Sequence, residues 1–335
     1  MAFLSRDIGI DLGTLNILVA EGNQILIQEP TIVAILVEEQ KMVEWGKVAK
    51  DMFGRVPESI EVVRPLQNGV IADFEITENL LKDILQRVSG PMRVFKPSVM
   101  TTVPYGITSV ELRAVHEACL GAGAREVALI WQPLAAAIGI DLPINTPSGN
   151  MIVSMGGGTT QTAVLAMNGI VSAETLRGGG LHLDESIIVY LRKKYGLIIG
   201  QPTAEQLKIK IGSAISIPNQ PSMEIQGQDQ VTGLPRPLEV KNEDIVEALE
   251  EPLREITLSV KRVLEKTPPE LLSDIIDRGV ALCGGGALLK GIDKHLTKAL
   301  GIPAYLVDNP ITCTVEGASK GLAMYDQLKR NLPPV

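Results

Sequence analysis

Residues 7–29 read DIGIDLGTLNILVAEGNQILIQE, and residues 150–177 read NMIVSMGGGTTQTAVLAMNGIVSAETLR. The two stretches share one pattern: an apolar strand, a turn rich in Gly and Thr, a second apolar strand, a tight polar turn and a third strand. The tight turns are Glu21-Gly22-Asn23 and Met167-Asn168-Gly169, and Asn-Gly between apolar runs is a strong hairpin signal. Each half of the chain therefore opens with an antiparallel meander, which makes the sequence a weak internal duplication.

Working outward, helical patterns follow each meander. Thr77 is placed to cap a helix whose apolar positions are Leu80, Leu81, Ile84, Leu85 and Val88, with Gly90 as its stop. Thr108 and Glu111 have the spacing of a capping box for a helix that runs to Gly121. Pro133 suits the first turn of a helix through Ala135, Ala136, Ala137 and Ile138. A longer helix is predicted from Asn242 to about Lys266, with Pro252 as a kink and Thr267-Pro268-Pro269 as its end. Strands alternating with helices in two similar halves predict a two-lobed α/β protein. Residues 38–73 and 183–241 read as insertions, one in each half. Within the second, Ser216–Pro237 has the polar, Gly- and Pro-dotted character of loops or hairpins.

The remaining composition narrows the function. The 335 residues suit about two domains. Aromatics make up only 3%, so Ile, Val, Leu and Ala must fill the core. A net charge of -8 without a Lys/Arg cluster argues against a nucleic-acid partner. Cys119, Cys283 and Cys313 lack metal or redox spacing and read as buried reduced thiols. His116, His182 and His295 are too dispersed for a metal site. No apolar run approaches the roughly 18 residues of a membrane span. The start, MAFLSRDIG, is too short for a signal peptide, so the expected compartment is the cytosol.

Three Gly clusters carry the chemistry. In Asp11-Leu12-Gly13-Thr14, bare backbone lets successive N–H groups approach and hold an anion, and Asp11 can hold a metal ion through water. Gly156-Gly157-Gly158-Thr159-Thr160 offers the same chemistry in the second half. One Gly-rich hairpin turn is usually only structural; two in duplicated contexts, facing each other across a cleft, would clamp a polyphosphate. The third cluster, Cys283-Gly284-Gly285-Gly286-Ala287-Leu288, follows the apolar Val280-Ala281-Leu282. It reads as a strand turning into a helix, where bare backbone either packs tightly or lies flat against a base or ribose.

The order of these three elements resembles the actin, sugar-kinase and heat-shock-chaperone ATPase superfamily. Within it, long stretches resemble the bacterial rod-shape family MreB: GIDLGTLNILVA, GRVPESIEVVRPLQNGVIADFEIT, VPYGITSVELRAV, QPLAAAIG, GGGTTQTAV, PTAEQLKIKIGSA, VTGLPRPLEV, LEKTPPELLSDIIDRGVALCGGGALLKGID and NPITCTVEGASKGL. The resemblance covers nearly the whole chain. It implies an actin-like (ribonuclease H-like) α/β fold of two domains, each with a duplicated mixed-sheet core and a smaller subdomain. The implied spans are 1–32, 74–141 and 315–335 for subdomain IA and 33–73 for IB. Subdomain IIA would take 142–182 and 242–314, and IIB 183–241.

The resemblance also assigns roles. Gly13, Thr14, Leu15 and Asn16 correspond to a first phosphate loop, with Asp11 as the ligand of a metal's water. Gly156, Gly157, Gly158 and Thr159 correspond to the second. Glu205, Gln206, Leu207 and Lys208 correspond to ribose or base contacts, although Glu205 and Lys208, three apart on one helix, would otherwise read as an ordinary ion pair. Gly284, Gly285, Gly286, Ala287 and Leu288 correspond to the adenosine loop. The implied cofactors are ATP or ADP with Mg2+. Three positions depart from the family. Ser154 stands where Asp is usual, Gln132 where Glu is usual and Gln161 where Glu is usual. Gln132 can orient a water but cannot take its proton, although actins use glutamine there too. The expectation is weak or absent ATP hydrolysis, with Asp11 and Gln132 as the remaining catalytic candidates.

The same resemblance places a membrane-inserting tip at Val94 and Phe95, flanked by Arg93 and Lys96, with Met1, Phe3 and Leu4 as a second weak anchor. It implies self-assembly into filaments of paired antiparallel protofilaments on the inner face of the cell membrane. Cell-wall synthesis proteins would be partners. The helices at Ala135–Ile140 and around Val315–Met324 would cross between the lobes as hinges. Three other readings compete. A chaperone ATPase would need a substrate domain beyond Val335, and a small-molecule kinase would need a catalytic carboxylate. A catalytically silent scaffold would join filaments of an active paralogue.

Overall fold

A computed structural model describes residues 6–89, 96–218 and 221–334. Val94 and Phe95 lie outside the described residues, as do Met1, Phe3, Leu4 and Gly90. Two five-stranded mixed sheets carry the architecture. The first runs, in spatial order, Glu126–Trp131, Ser98–Val103, Asp7–Leu12, Asn16–Glu21 and Gln24–Pro30. The second runs Gly169–Leu176, Thr160–Ala166, Asn150–Met155, Val280–Cys283 and Ala304–Leu306. In both, the opening meander is antiparallel and two later strands add in parallel beside its first strand. The duplication expected from the sequence is thus a duplication of topology. The second meander turns at Met167 and Asn168, both with positive φ (50° and 59°), the backbone a tight two-residue hairpin requires.

Two helices pack between the sheets, Gln132–Gly139 and Cys313–Ala323. They bury a shared core of Ala135, Ala136, Ala137 and Ala318 with Met100 and Ile130 of the first sheet and Ile152, Ala163 and Ala281 of the second. Their axes come close because the contact residues are small. A Cβ on Gly139 would collide with the Cys313 carbonyl, and one on Gly317 with the Ala135 carbonyl. The sequence places these two helices between the lobes, and that is where they lie.

Each sheet also has its own core, one around Ile8, Ile10, Leu80, Leu81 and Ile84, the other around Val153, Ile187, Leu249 and Val260. The helix Asn242–Glu265 continues through Pro252 and buries Ile245, Leu249, Leu253, Ile256, Val260 and Val263 along one stripe. Two small three-stranded sheets fall in or just before the insertions, besides the short pair Leu66–Gln67 and Val70–Ile71. One joins Val33–Leu36, Lys41–Trp45 and Ile60–Val63; the other joins Leu197–Ile198, Ser222–Asp229 and Pro235–Lys241. The capping box at Thr108 and Glu111 forms as predicted.

The cap predicted at Thr77 does not form. That helix begins at Phe74, one turn earlier, because the Asp73 carboxylate accepts the Ile76 N–H (3.0 Å). Thr77 is buried inside the first turn, and its hydroxyl bonds back to the Asp73 carbonyl. Asp and Thr both suit an N-cap; here the charged acceptor takes the role.

Candidate functional site

The Gly/Thr turns of the two sheets meet face to face. A Cβ on Gly157 would strike the Leu15 side chain, and one on Gly158 the Thr14 side chain. Only bare backbone in the second turn allows this approach. The Thr14 hydroxyl accepts the Gly69 N–H (2.8 Å), which ties the first turn to the Gly69 turn. The Gly156 N–H closes its own turn on the Thr159 carbonyl (2.8 Å). Between the turns lies the more polar of two adjoining chambers, of about 140 Å³, lined by Asp11, Gly13, Thr14, Asn16, Gln132, Ser154, Gly156 to Thr159, Gln161 and Gly284 together with Leu15, Leu18 and Ile311.

A second chamber of about 300 Å³ opens beside it and shares Leu15, Asn16, Gly156, Gly157 and Gly285. Its walls are largely apolar: Leu183, Ile209, Leu288 and Leu289, with Gly286 on one side and Glu205 and Lys208 on the other. Gly285–Leu288 forms a short 3-10 turn rather than the start of a regular helix, which begins only at Ile292. Ala287 is buried in the core, so that turn meets the chamber through its glycines and the half-exposed Leu288.

Glu205 and Lys208 face the same chamber, but each has a partner elsewhere. Lys208 meets the carboxylate of Asp184 at 2.6 Å and donates to the Gly180 carbonyl at 2.8 Å. Asp184 is only 1% exposed. Burial pushes its carboxyl upward, and the neighbouring Lys208 pulls it back. Glu205 pairs with Lys50 of the first insertion at 3.1 Å, across the mouth between the two insertions. That pair is half-exposed and contributes little by itself. Gln206 faces a neighbouring pocket with Arg64 and Gln201 instead, and the Leu207 side chain is buried in the core.

At the floor of the polar chamber, Asp11, next to last in its strand, sits in a hydrogen-bonded chain. Thr102 donates to Asp11 Oδ1 (2.5 Å), and Gln132 Nε2 donates to the same oxygen (3.3 Å). Gln161 Nε2 donates to Gln132 Oε1. Gln161 Oε1 accepts the Tyr105 N–H (2.9 Å). Burial raises the Asp11 carboxyl above its ordinary value, opposed by the bonds from Thr102 and Gln132. Ser154, at the matching place in the second turn, brings a neutral hydroxyl beside Cys283. The Cys283 thiol is raised well above its usual range by its bond to Cys313 and by burial.

Among the described residues, no three of His, Cys, Asp or Glu gather as a metal site. A divalent cation in the polar chamber would have Asp11 as its protein carboxylate. Waters and phosphate oxygens would fill the other positions, the usual arrangement for Mg2+. A buried carboxyl with a raised pKa gains from such a cation, so the residues present fit one.

Thr102, Tyr105 and Asp184 were not singled out in the sequence. Asp184 left a signal, a carboxylate among the apolar positions of its helix face, whereas Thr102 is not set apart from Ser98 and Thr101 in its own strand. Tyr105 contributes its backbone and left none.

The sequence profile of the MreB/Mbl protein family matches residues 5–330. The chain belongs to the MreB/Mbl family. It is 44% identical to the cell shape-determining protein MreB of Escherichia coli (strain K12), over 96% of this chain and 94% of that protein. It is 45% identical to the cell shape-determining protein Mbl of Bacillus cereus, over 97% of this chain and 98% of that protein. Its structure is similar to that of MreB5 of Spiroplasma citri crystallised with ADP, with a TM-score of 0.91, 35% identity and coverage of 97% and 98% of the two chains. A second crystal structure of MreB5, bound to AMPPNP, matches equally well. The fold is actin-like, as the resemblance implied, and the MreB/Mbl membership fits the two-sheet plan. Among the described residues no helix is long and apolar enough to cross a membrane.

Proposed function

We propose that this MreB/Mbl-family chain binds ATP or ADP with Mg2+ between its lobes and assembles into filaments that help determine cell shape. The observation that carries this reading is the pair of joined chambers. One is polar and floored by two backbone turns, sized for phosphates; the other is apolar and glycine-walled, suited to a base and ribose. The MreB5 structures hold ADP and AMPPNP in a chain of the same fold. Asp11 would hold the metal's water, Gly13 to Asn16 and Gly156 to Thr159 the phosphates, and Glu205 and Lys208 the sugar or base edge.

Hydrolysis is weak in this reading. Ser154 supplies no charge to the metal, and neither Gln132 nor Gln161 can accept a proton near neutral pH. Loss of a general base typically slows such a step by about 10²–10⁴-fold. Filaments follow from a head-to-tail contact that does not close on itself. In this reading they pair antiparallel and lie on the inner face of the cell membrane. There Val94 and Phe95 reach the acyl boundary beneath anionic headgroups, and the filaments organise cell-wall synthesis proteins. One observation favours a second reading, a catalytically silent scaffold that co-assembles with an active relative: both atoms of the Gln132 amide are already bonded within the protein.

Sedimentation and phosphate release, measured together with Mg-ATP and liposomes, test both readings. The first expects nucleotide-dependent pelleting with little phosphate released. Pelleting only after an active family member is added would favour the scaffold, and no pelleting in either case would sink both.

A further inference from the structure

The chain of amides at the cleft floor has a direction, and one backbone group fixes it. The Tyr105 N–H can only donate, so the Gln161 atom it meets is Oε1. Nε2 of Gln161 therefore faces Gln132, whose facing atom must be the acceptor, Oε1. Nε2 of Gln132 is left to donate to Asp11, which accepts from Thr102 as well. Tyr105, Gln132 and Asp11 belong to the first lobe and Gln161 to the second. The Tyr105 carbonyl is held from the same side: it accepts the Thr175 hydroxyl at 2.8 Å. Gln161 and Thr175 are directly opposed on neighbouring strands, so two adjacent side chains of the second sheet grip the backbone of one residue of the first lobe by its N–H and its carbonyl.

We propose that Gln161 is a positioning residue that, with Gln132, forms a strut between the lobes, holding the cleft floor closed and engaging the Gln132 carbonyl oxygen, the acceptor that would take a hydrogen bond from an attacking water. Two ionised carboxylates at these positions could not make this bond, since both would present only acceptors. The donor that makes the bond is the Gln161 amide, and the Gln132 amide lets the same chain continue as a donor to Asp11. Gln161 is 1% exposed, so the bond is shielded from competing water and worth more than a surface contact. The hydrolysis part of this inference rests on the nucleotide reading above; the strut itself does not.

The test has an arm without nucleotide. In the nucleotide-free chain, amide exchange at Tyr105 should be slow, and Gln161→Ala should speed it at least about tenfold, the loss of one hydrogen bond. In the second arm, release of a fluorescent ADP is compared in Gln161→Leu, Gln132→Leu and the double variant. Each single change should speed release about tenfold or more by favouring the open lobes, and the double should be no faster than Gln161→Leu, because that single change already removes every cross-lobe bond the double removes. Gln161→Glu keeps the Tyr105 contact but turns an acceptor toward Gln132 Oε1, and should release ADP as fast as Gln161→Leu. Unchanged Tyr105 exchange in Gln161→Ala, or additive effects of the two leucine variants, would overturn the strut. A chain that binds no ADP would refute the nucleotide reading, and the Tyr105 arm would still decide the strut.

Discussion

The turn after Asp11 and the turn after Ser154 occupy matching places in two sheets of the same plan. Both follow the first strand of a meander, which is the central strand of its sheet, both are floored by glycine and threonine, and they touch each other across the cleft. Their chemistry has diverged. The first has a partly buried carboxylate held by two donors. The second has a small hydroxyl backed by the thiols Cys283 and Cys313. The difference separates two requirements that duplication had joined. In the proposed reading, backbone geometry suited to phosphates is present in both halves, whereas a carboxylate that could hold a metal is present in one.

Restoring the charge is the most direct way to break this asymmetry. In Ser154→Asp, phosphate release should rise roughly 10–100-fold, the usual scale for a group that orients a metal's shell. The nucleotide-free variant should melt at a lower temperature, because two carboxylates sharing one site cannot both ionise without cost. Parallel phosphate-release and thermal-melting measurements check both halves of the prediction. A parent chain that already hydrolyses ATP at the variant's rate would show that charge is supplied from elsewhere.

The two turns should also differ in what their glycines protect. A Cβ on Gly13 would meet the Asn16 carbonyl of its own hairpin at 2.5 Å, whereas one on Gly157 would meet Leu15 of the opposite lobe. Gly13→Ala should therefore destabilise the fold itself, by about 1–3 kcal/mol, the usual cost of overpacking. Gly157→Ala should leave urea unfolding nearly unchanged and weaken nucleotide binding about fivefold, since the strain is relieved by parting the lobes. Nucleotide titration beside urea unfolding separates the two; equal losses in both assays would mean the turns are not distinguished this way.

Most of this comparison was legible before any coordinates. Apolar runs of strand length, the Asn-Gly turn at Asn168 and the repeated Gly/Thr turns gave the two meanders, because each signal is local in the chain. Lobe-to-lobe side-chain pairing was not legible. Tyr105 is gripped by Gln161 and Thr175, 56 and 70 residues away, through its backbone, which no residue type announces. The helix at Gln201–Ile211 placed Glu205 and Lys208 on one face, but Asp184 and Lys50 claim them, both from outside that helix. Thr77 was misread as a cap for a local reason: two acceptable caps stand four residues apart, and only the strength of the acceptor decides between them.

The smallest effect should come from titrating the one carboxyl that the asymmetry leaves. Burial raises the Asp11 pKa in the folded chain above its ordinary value of 3.8. For a carboxyl shifted this way, the contribution to stability is fully present below the unfolded pKa and is lost as pH rises through the folded value. In the nucleotide-free parent, Asp11 should therefore erode stability on going from acid toward neutral pH, against whatever the surface carboxylates do. Asp11→Asn removes that component and leaves the rest, so the parent-minus-variant difference in urea midpoint should decline with rising pH. The second turn cannot contribute, because Ser154 does not titrate in this range. Mg2+ with nucleotide should flatten the parent's decline, since a bound cation favours the ionised carboxylate. In Ser154→Asp the decline should instead steepen and extend to higher pH, because each carboxylate hinders ionisation of the other. A difference that stays level with pH in the nucleotide-free protein would mean that the donors from Thr102 and Gln132 fully offset the burial of Asp11. The first turn would then be as electrically quiet as the second until a metal arrives.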